Sequence, residues 1–179
     1  ATISSMYRKQ QTGIGSFIDL SHLESFAWYL PGMLSEWKWN KRLPKQLGNL
    51  DESFVPHGCF VTNNNQEWIV IAAENDEQWQ KLCLALDKSE WSSIEHKWST
   101  ITGRLKHRNK IDNEIKKICL KQDSEQIISL IQQCGAIASP IVDAPGMFNN
   151  LQMHHRNWFK AINLPYLGER LMPGFLWNM

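Results

Sequence analysis

The run Trp68-Ile69-Val70-Ile71-Ala72-Ala73 decides the fold class, because a continuous apolar run of this length indicates a strand covered on both faces. The shorter segment from Cys59 to Val61 precedes it, and Asn63-Asn64-Asn65 lie between the two. Asparagine tolerates the left-handed backbone of tight turns, so we expect the two segments to form a hairpin. Further strands are predicted at Ile141-Val142 and from Trp158 to Ile162.

Amphipathic helices are predicted on both sides of this hairpin. Ser21 and Glu24 have the spacing of a capping box, so the first helix should occupy residues 22–37. Pro31 lies inside that run and predicts a break near Leu30, because proline cannot donate a helical hydrogen bond.

Three more helices follow, each with apolar residues at helical spacing. Asn75 should cap the first of them and Asp123 the last, which should end at Gly135, since glycine is common just after a helix. A further helical turn is expected from Ala144 to Asn149. The positions expected to face the core are Trp79, Leu82, Cys83 and Leu86, then Leu105, Ile111, Ile115 and Ile118, then Ile127, Leu130, Ile131 and Cys134.

Strands mixed with amphipathic helices in this order predict an α+β domain. A doubly wound sheet would require repeated strand–helix–strand crossovers and a phosphate loop after the first strand. Thr12-Gly13-Ile14-Gly15 is only a partial glycine pattern, because it lacks a third glycine at the required offset.

The stretch from Asn40 to Gly58 is rich in turn residues and predicts a long ordered loop, and long loops in compact domains are often functional.

Composition excludes several classes of protein. The formal net charge of +1 over 179 residues gives no broad attraction to nucleic acid or anionic lipid. No apolar run approaches the ~20 residues that cross a bilayer. The four cysteines contain no CxxC pair, which fits free thiols in a reducing compartment. We therefore expect a soluble, cytoplasmic protein with no nucleic-acid or membrane partner.

Nine tryptophans should fill a core, and exposed ones would indicate a missing neighbour.

Two polar features invite functional hypotheses that the residues do not support. His154 and His155 are adjacent and cannot both face one metal, while His96 and His107 lack partners at metal-ligand spacing, so no metal site is expected. The basic segment from Arg104 to Lys110 could bind a phosphate of coenzyme A or of nucleic acid. A solvated helix face is the interpretation that we prefer for it, because most charge runs on amphipathic helices are solvated.

The long loop contains the candidate site residues. Gly48-Asn49 and Pro56-His57-Gly58 combine a permissive backbone with an imidazole, which can act as acid, base or polar anchor near neutral pH. A lone histidine in a loop is more often structural than catalytic. The residues by themselves therefore predict a soluble α+β domain with one candidate loop.

Several motifs in order resemble those of class III CoA-transferases, the CaiB/BaiF family. The segments that resemble that family's motifs are Thr12-Gly13-Ile14-Gly15 with Ile18-Asp19-Leu20-Ser21, Leu47-Gly48-Asn49 with Pro56-His57-Gly58-Cys59-Phe60, Trp68-Ile69-Val70-Ile71-Ala72 with Trp79 and Leu82-Cys83, Cys134-Gly135 with Ala138-Ser139-Pro140-Ile141-Val142, and Tyr166-Leu167-Gly168-Glu169-Arg170 with Pro173-Gly174. Because they span nearly the whole chain at compatible spacing, the resemblance is specific.

The resemblance implies a function and a division of the chain. In that family an aspartate attacks an acyl-CoA thioester, giving a mixed anhydride and then an aspartyl-CoA thioester from which the acceptor acid takes CoA. Residues 1–40 would be a lead-in and helix of the larger domain, and residues 41–179 the small α+β domain, with a C-terminal segment of the parent missing. The substrates would be an acyl-CoA and a carboxylic acid, with no permanently bound cofactor. The parent would be an interlocked homodimer.

The resemblance implies that the catalytic aspartate lies a few tens of residues before Thr12, so this chain should contain no catalytic residue and be inactive alone. Asp19 matches a structural position at a helix start, where the helix dipole favours a carboxylate. The chain departs from the family pattern at Ser16, which replaces a frequent glutamine, and in residues 50–55, which lack the glycine run of an active-site lid. The residues expected to face the substrate are Gly48, Asn49, Pro56, His57 and Gly58.

Two alternatives remain open at this point. A relative of the α-methylacyl-CoA racemases would share the fold but use acid–base chemistry on the α-carbon. A non-catalytic interaction module derived from the small domain would keep the fold without the reaction.

Overall fold

The computed structural model describes residues 1–63, 67–175 and 177, which fall into two compact units, 1–46 and 47–179. The first unit contains the helices α1 (Thr2–Thr12), α2 (His22–Ala27) and α3 (Pro31–Asn40). The second contains, in chain order, β1 (His57–Val61), β2 (Trp68–Ala72), α4 (Asp76–Ala85), a 3-10 turn (Ser89–Ser92), α5 (Ile101–Lys106), α6 (Arg108–Cys119), α7 (Ser124–Gln133), β3 (Ile137–Pro140), α8 (Ala144–Phe148), α9 (Leu151–His155), β4 (Phe159–Leu164) and β5 (Gly168–Pro173).

The helices of the first unit follow local sequence signals. The Ser21 hydroxyl accepts a hydrogen bond from the amide of Glu24 and caps α2, as predicted. The expected break is present, because α2 ends before Leu30 and Pro31 occupies the first position of α3. Every residue of 1–46 is exposed or half-buried. This unit therefore has an apolar surface without a core of its own.

An antiparallel three-stranded sheet with the order β1-β2-β3 organises the second unit. The expected hairpin is confirmed, with Cys59 opposite Val70 and Phe60 opposite Ile69. Asn64 and Asn65, at which we expected the turn, lie outside the described residues.

Two strand predictions need correction at their ends. β1 begins at His57, so His57 and Gly58 belong to the strand rather than to the loop before it. The prediction of a strand at Ile141-Val142 was wrong, since β3 covers Ile137–Pro140 and the chain leaves the sheet at residue 141. The amide of Ile141 still bonds the carbonyl of Trp68 at 2.8 Å, which explains why the apolar pair resembled a strand.

The sheet buries one face and leaves the other open, because alternate side chains of a strand point to opposite faces. The apolar core lies on the first face, where Phe60, Ile69 and Ile71 are almost fully buried. Helices cover this face with Trp79, Leu82 and Cys83 of α4, Ile111 and Ile115 of α6, and Ile127 and Ile131 of α7. The sheet is therefore covered on one face by helices, in contrast to the two-sided cover that the apolar run predicted.

The tryptophans divide between this core and the surface. Trp79 stacks on Trp91 with 6.2 Å between ring centroids, and Trp98 meets Trp91 edge-on at 5.1 Å. Trp28 and Trp39 of the first unit are 85% and 75% exposed. The core therefore explains only part of the tryptophan content.

The later helices depart from prediction in two places. The expected third helix is divided at His107 into α5 and α6. Leu130 was predicted to face the core but is 47% exposed, because the buried face of α7 is formed by Ile127, Ile128 and Ile131. Gly135 adopts a φ of +79° just after α7, as the predicted helix end requires.

The burial pattern of α4 gives a matched test of the core. Leu82→Ala should lower the free energy of unfolding by about 2–5 kcal/mol, because it empties a fully buried position. Leu84→Ala on the same helix should change it by less than about 0.5 kcal/mol, since Leu84 is 64% exposed. Urea denaturation followed by tryptophan fluorescence measures both. Equal losses would contradict this packing of α4.

Candidate functional site

The loop that leads into β1 starts with a tight turn at Gly48. The amide of Leu50 bonds the carbonyl of Leu47 at 3.1 Å, and Gly48 inside this turn has a φ of +60°. That backbone region favours glycine, so the sequence dictates the turn here. The turn places Asn49 beside β1.

Asn49 holds two side chains of β1. Its backbone carbonyl oxygen lies 2.7 Å from Nδ1 of His57 and can only accept, so Nδ1 carries a proton, and in the neutral imidazole the lone pair is on Nε2. Its side-chain amide donates a hydrogen bond to Sγ of Cys59 at 3.3 Å. The ring of Phe54 meets the imidazole edge-on, with 5.3 Å between centroids. The imidazole is thus held from two sides by residues of its own loop.

His57 and Cys59 belong to the open face of the sheet. Register places them beside Ala72 and Val70 of β2, and Ala72 in turn faces Ile137 of β3. Together with Asn49, these side chains line a cleft of about 400 Å³. Its surface is mostly apolar, with the amide of Asn49, the imidazole of His57 and the carboxylate of Glu74 as polar groups. The cleft can therefore hold an apolar group next to one imidazole.

The structure brings together some of the predicted site residues and not others. Asn49, His57 and Gly58 line the cleft, and Gly48 shapes the turn that presents Asn49. Pro56 does not line it, because it is fully buried and its carbonyl accepts a hydrogen bond from the amide of Ala73 at 3.0 Å. Pro56 therefore fastens the loop to the end of β2.

A larger cleft of about 700 Å³ lies elsewhere in the second unit, between α7 and the segment after β3. Trp68, Ile128 and Val142 line it together with several acidic and hydroxyl side chains. It contains none of the predicted site residues. We favour the smaller cleft as the candidate site because it places an imidazole held by Asn49 beside an apolar wall.

The described parts of the chain contain neither a cluster of metal-binding side chains nor a membrane-spanning helix. Residues 1–63, 67–175 and 177 contain no cluster of three or more histidine, cysteine, aspartate or glutamate side chains suited to a metal ion. Within the same residues, no helix is both long enough and apolar enough to span a bilayer.

The sequence analysis did not select two arginines that bond the main chain of the loop. We preferred a solvated helix face for the segment from Arg104 to Lys110, but Arg104 is fully buried and Arg108 is half-buried. The missed signal was their spacing, because positions 104, 108, 111 and 115 follow one helical stripe. The arginines share that stripe with Ile111 and Ile115, which are buried in the core. Arg104 bonds the carbonyl of Val55, and Arg108 bonds the carbonyl of Asp51.

Burial shifts the pKa of three groups near the core. It raises the pKa of the Cys83 and Cys119 thiols to about 12, which makes both cysteines unreactive in the folded protein. It also raises the pKa of the Asp112 carboxyl on α6, and the nearby Arg108 only partly offsets that effect. One oxygen of Asp112 is buried without a hydrogen-bond partner, which agrees with the cost of ionising it.

With the fold and the cleft established, comparison with known proteins identifies the family. The profile of CoA-transferase family III matches residues 1–179. The chain is 26% identical over 178 residues to human succinyl-CoA:glutarate CoA-transferase, covering 97% of this chain and 39% of that protein. It is 21% identical over 170 residues to succinyl-CoA:mesaconate CoA-transferase from Haloarcula hispanica, covering 94% of this chain and 41% of that protein.

A solved structure shows the same fold. A CaiB/BaiF family protein from Brucella suis matches with a TM-score of 0.75 at 19% identity, covering 96% of this chain and 47% of that chain. The chain thus belongs to CoA-transferase family III, and the resemblance drawn from its motifs is confirmed. It spans about two-fifths of the length of the curated relatives that it matches.

The shifted carboxyl of Asp112 predicts how stability depends on pH. A raised folded-state pKa means that the folded chain keeps a proton that the unfolded chain has lost, so the free energy of unfolding falls as pH rises through that interval. Asp112→Asn should flatten this fall, which starts near the ordinary carboxyl pKa of about 4. Urea midpoints measured from pH 4 to 7 check it. Glu95→Gln, at an exposed position, should keep the wild-type slope, and a fall that persists in Asp112→Asn would contradict the assignment.

Proposed function

We propose that this chain is part of an acyl-CoA:carboxylate CoA-transferase and supplies the loop and sheet face that meet the acyl group. One observation carries the proposal: the family profile matches the chain from residue 1 to residue 179. The activities of the relatives support it, since they transfer CoA between succinyl-CoA and glutarate or mesaconate. Because the chain spans under half of those proteins, the activity is proposed for the parent and not for this chain alone.

In the proposed reaction, an aspartate outside this chain is the nucleophile. Its carboxylate attacks the thioester carbon and expels CoA thiolate, which gives a mixed anhydride. The thiolate then attacks the aspartyl carbonyl and releases the donor acid, leaving an aspartyl-CoA thioester. The acceptor carboxylate repeats the two steps in reverse and leaves with CoA. An acylated carboxylate remains an activated acyl donor, which explains why this chemistry needs an acidic nucleophile.

Asp19 is a poor candidate for that nucleophile. It is exposed in the segment just before the Ser21 cap of α2. The position of Asp19 at a helix start supports a structural role instead.

The cleft beside β1 suits the acyl part of a thioester. Its wall of Val70, Ala72 and Ile137 can pack against methylene groups. Nε2 of His57 keeps a lone pair that can accept a hydrogen bond from a protonated carboxyl group, and an imidazolium could instead pair with a carboxylate. The residues proposed for substrate contact are Asn49, His57 and Gly58. Gly48 would act by shaping the turn, and Pro56 by fastening the loop to the end of β2.

The first unit supports a larger assembly. It exposes Phe17, Trp28 and Trp39 to 95%, 85% and 75%, and unburied aromatic side chains on this scale are typical of surfaces that meet a partner. We propose that it packs in the parent against the larger domain, within an interlocked homodimer. Coenzyme A would be present only as a thioester substrate, with no permanently bound cofactor. A cytoplasmic location remains a prediction from the free cysteines.

A hybrid enzyme tests the proposal. This chain should replace the matched segment of human succinyl-CoA:glutarate CoA-transferase and still allow formation of glutaryl-CoA from succinyl-CoA and glutarate. The chain alone should form none and should gain no mass corresponding to CoA. Chromatography of CoA esters and intact-protein mass spectrometry measure the two results.

The hybrid also provides its own control. Asp19→Asn should reduce turnover by less than about tenfold, because a tenfold change in rate corresponds to roughly the free energy of one hydrogen bond. A folded hybrid without transfer would contradict the proposed function. A CoA adduct on the isolated chain would place the nucleophile inside it and contradict the proposed division of roles.

A further inference from the structure

Backbone carbonyls of the loop before β1 bond to two arginines from the helices behind it. Nε of Arg104 lies 2.8 Å from the carbonyl oxygen of Val55. Nη2 of Arg108 bonds the carbonyl oxygen of Asp51 and lies 3.5 Å from that of Phe54. Carbonyls of a partly buried loop have no strand or helix partner, so they need such donors. The loop is therefore attached to α5 and α6 through its main chain.

Arg104 belongs to the core as much as to the loop. Its side chain is fully buried and stacks over Trp79 at 5.3 Å from the ring centroid. Nη1 bonds Oδ1 of Asp76 at 2.8 Å and the carbonyl of Ser99 at 3.3 Å. A change at Arg104 would disturb all of these segments together, so it cannot reveal a role in the loop alone.

Arg108 differs because its hydrogen bonds go to the loop. Asp112 stands one helical turn further along α6, at the spacing at which an arginine and an aspartate commonly pair. Within the described residues the two form no ion pair, and Nη1 of Arg108 and Oδ1 of Asp112 are both buried without a hydrogen-bond partner. The guanidinium is instead turned towards the carbonyls of Asp51 and Phe54.

These contacts lead to His57 through two short links. Phe54, whose carbonyl faces Arg108, places its ring edge-on to the imidazole at 5.3 Å. Asp51, the other partner of Arg108, is two residues from Asn49, whose carbonyl lies 2.7 Å from Nδ1. Without Arg108, the carbonyls of Asp51 and Phe54 would lose this donor, and the main chain that carries both contacts of the imidazole would be less firmly held.

We propose that Arg108, with Arg104 behind it, is a positioning residue that fixes the tautomer and orientation of His57 at the cleft. It does so by holding the loop main chain so that Asn49 accepts the Nδ1 proton and Nε2 presents a lone pair to the substrate. The meaning of this role for catalysis rests on the proposed function. The orientation of the imidazole does not, because it is a property of the chain without substrate.

Nitrogen-15 NMR of the histidine side chains tests this inference on the purified chain without ligand. His57→Gln assigns the signals of His57 among the six histidines. Wild type should show the Nδ1-protonated tautomer of His57 in about tenfold excess, the size of one good hydrogen bond. Arg108→Met should reduce this excess at least about threefold, and Arg108→Lys, which keeps the charge but not the fork of donors, should fall between the two.

A matched control separates positioning from general loss of charge. Lys110→Met removes a cation from an exposed position two residues further along α6 and should leave the tautomer ratio of His57 unchanged. Core methyl signals of Ile111 and Ile115 report whether each variant is folded. An unchanged ratio in a folded Arg108→Met chain overturns the inference, as does an equal change in Lys110→Met.

If Arg108→Met does not fold, Arg108→Lys decides the question, and an unchanged ratio in that variant also overturns the inference. Phe54→Leu tests the ring contact separately, because it removes the ring beside the imidazole and keeps the carbonyl that faces Arg108. It should broaden or shift the His57 signals without lowering stability as much as a core change. Since no acyl-CoA is needed, failure here is distinct from failure of the hybrid enzyme.

Discussion

The guanidinium of Arg104 joins the loop before β1 to helix α4 and the core of the second unit. It stacks on Trp79 of α4 and bonds Asp76 at the start of that helix, and it also bonds the carbonyl of Val55. A buried charge costs free energy unless neighbouring groups compensate it. Nε and Nη1 of Arg104 have hydrogen-bond partners, whereas Nη2 is buried without one. Asp76 is about half exposed, so the carbonyls and the tryptophan ring share the task of compensating the charge. The candidate site is consequently built on the core and not on a free loop.

Local signals in the sequence were sufficient for much of the fold. The Ser21, Asn75 and Asp123 caps lie where their side chains predicted helix starts, and the hairpin of β1 and β2 follows from its apolar runs. Periodicity could not predict the division of the third helix at His107, since apolar spacing continues across the break. It also misplaced β3, because an apolar pair just outside a sheet has the same composition as one inside it.

The candidate site shows where sequence reasoning ends. Gly48 and His57 could be selected from the turn chemistry of the loop and the chemistry of imidazole. Arg104 and Arg108 could not, because a charge run on a helix is normally solvated and the loop groups that both arginines bond are backbone carbonyls about fifty residues earlier. Carbonyl acceptors leave no mark in the sequence. Only the helical stripe shared with Ile111 and Ile115 indicated that these charges face inward.

The central claim is that the loop before β1 is an ordered part of the small domain that presents His57. Backbone nitrogen-15 relaxation of residues 49–55 tests it most directly. We expect order parameters of about 0.85, equal to those of β1 and β2, because the arginines, Asn49 and Pro56 fix this segment. Values below about 0.6 across these residues would describe a flexible loop and would contradict an ordered presentation of His57.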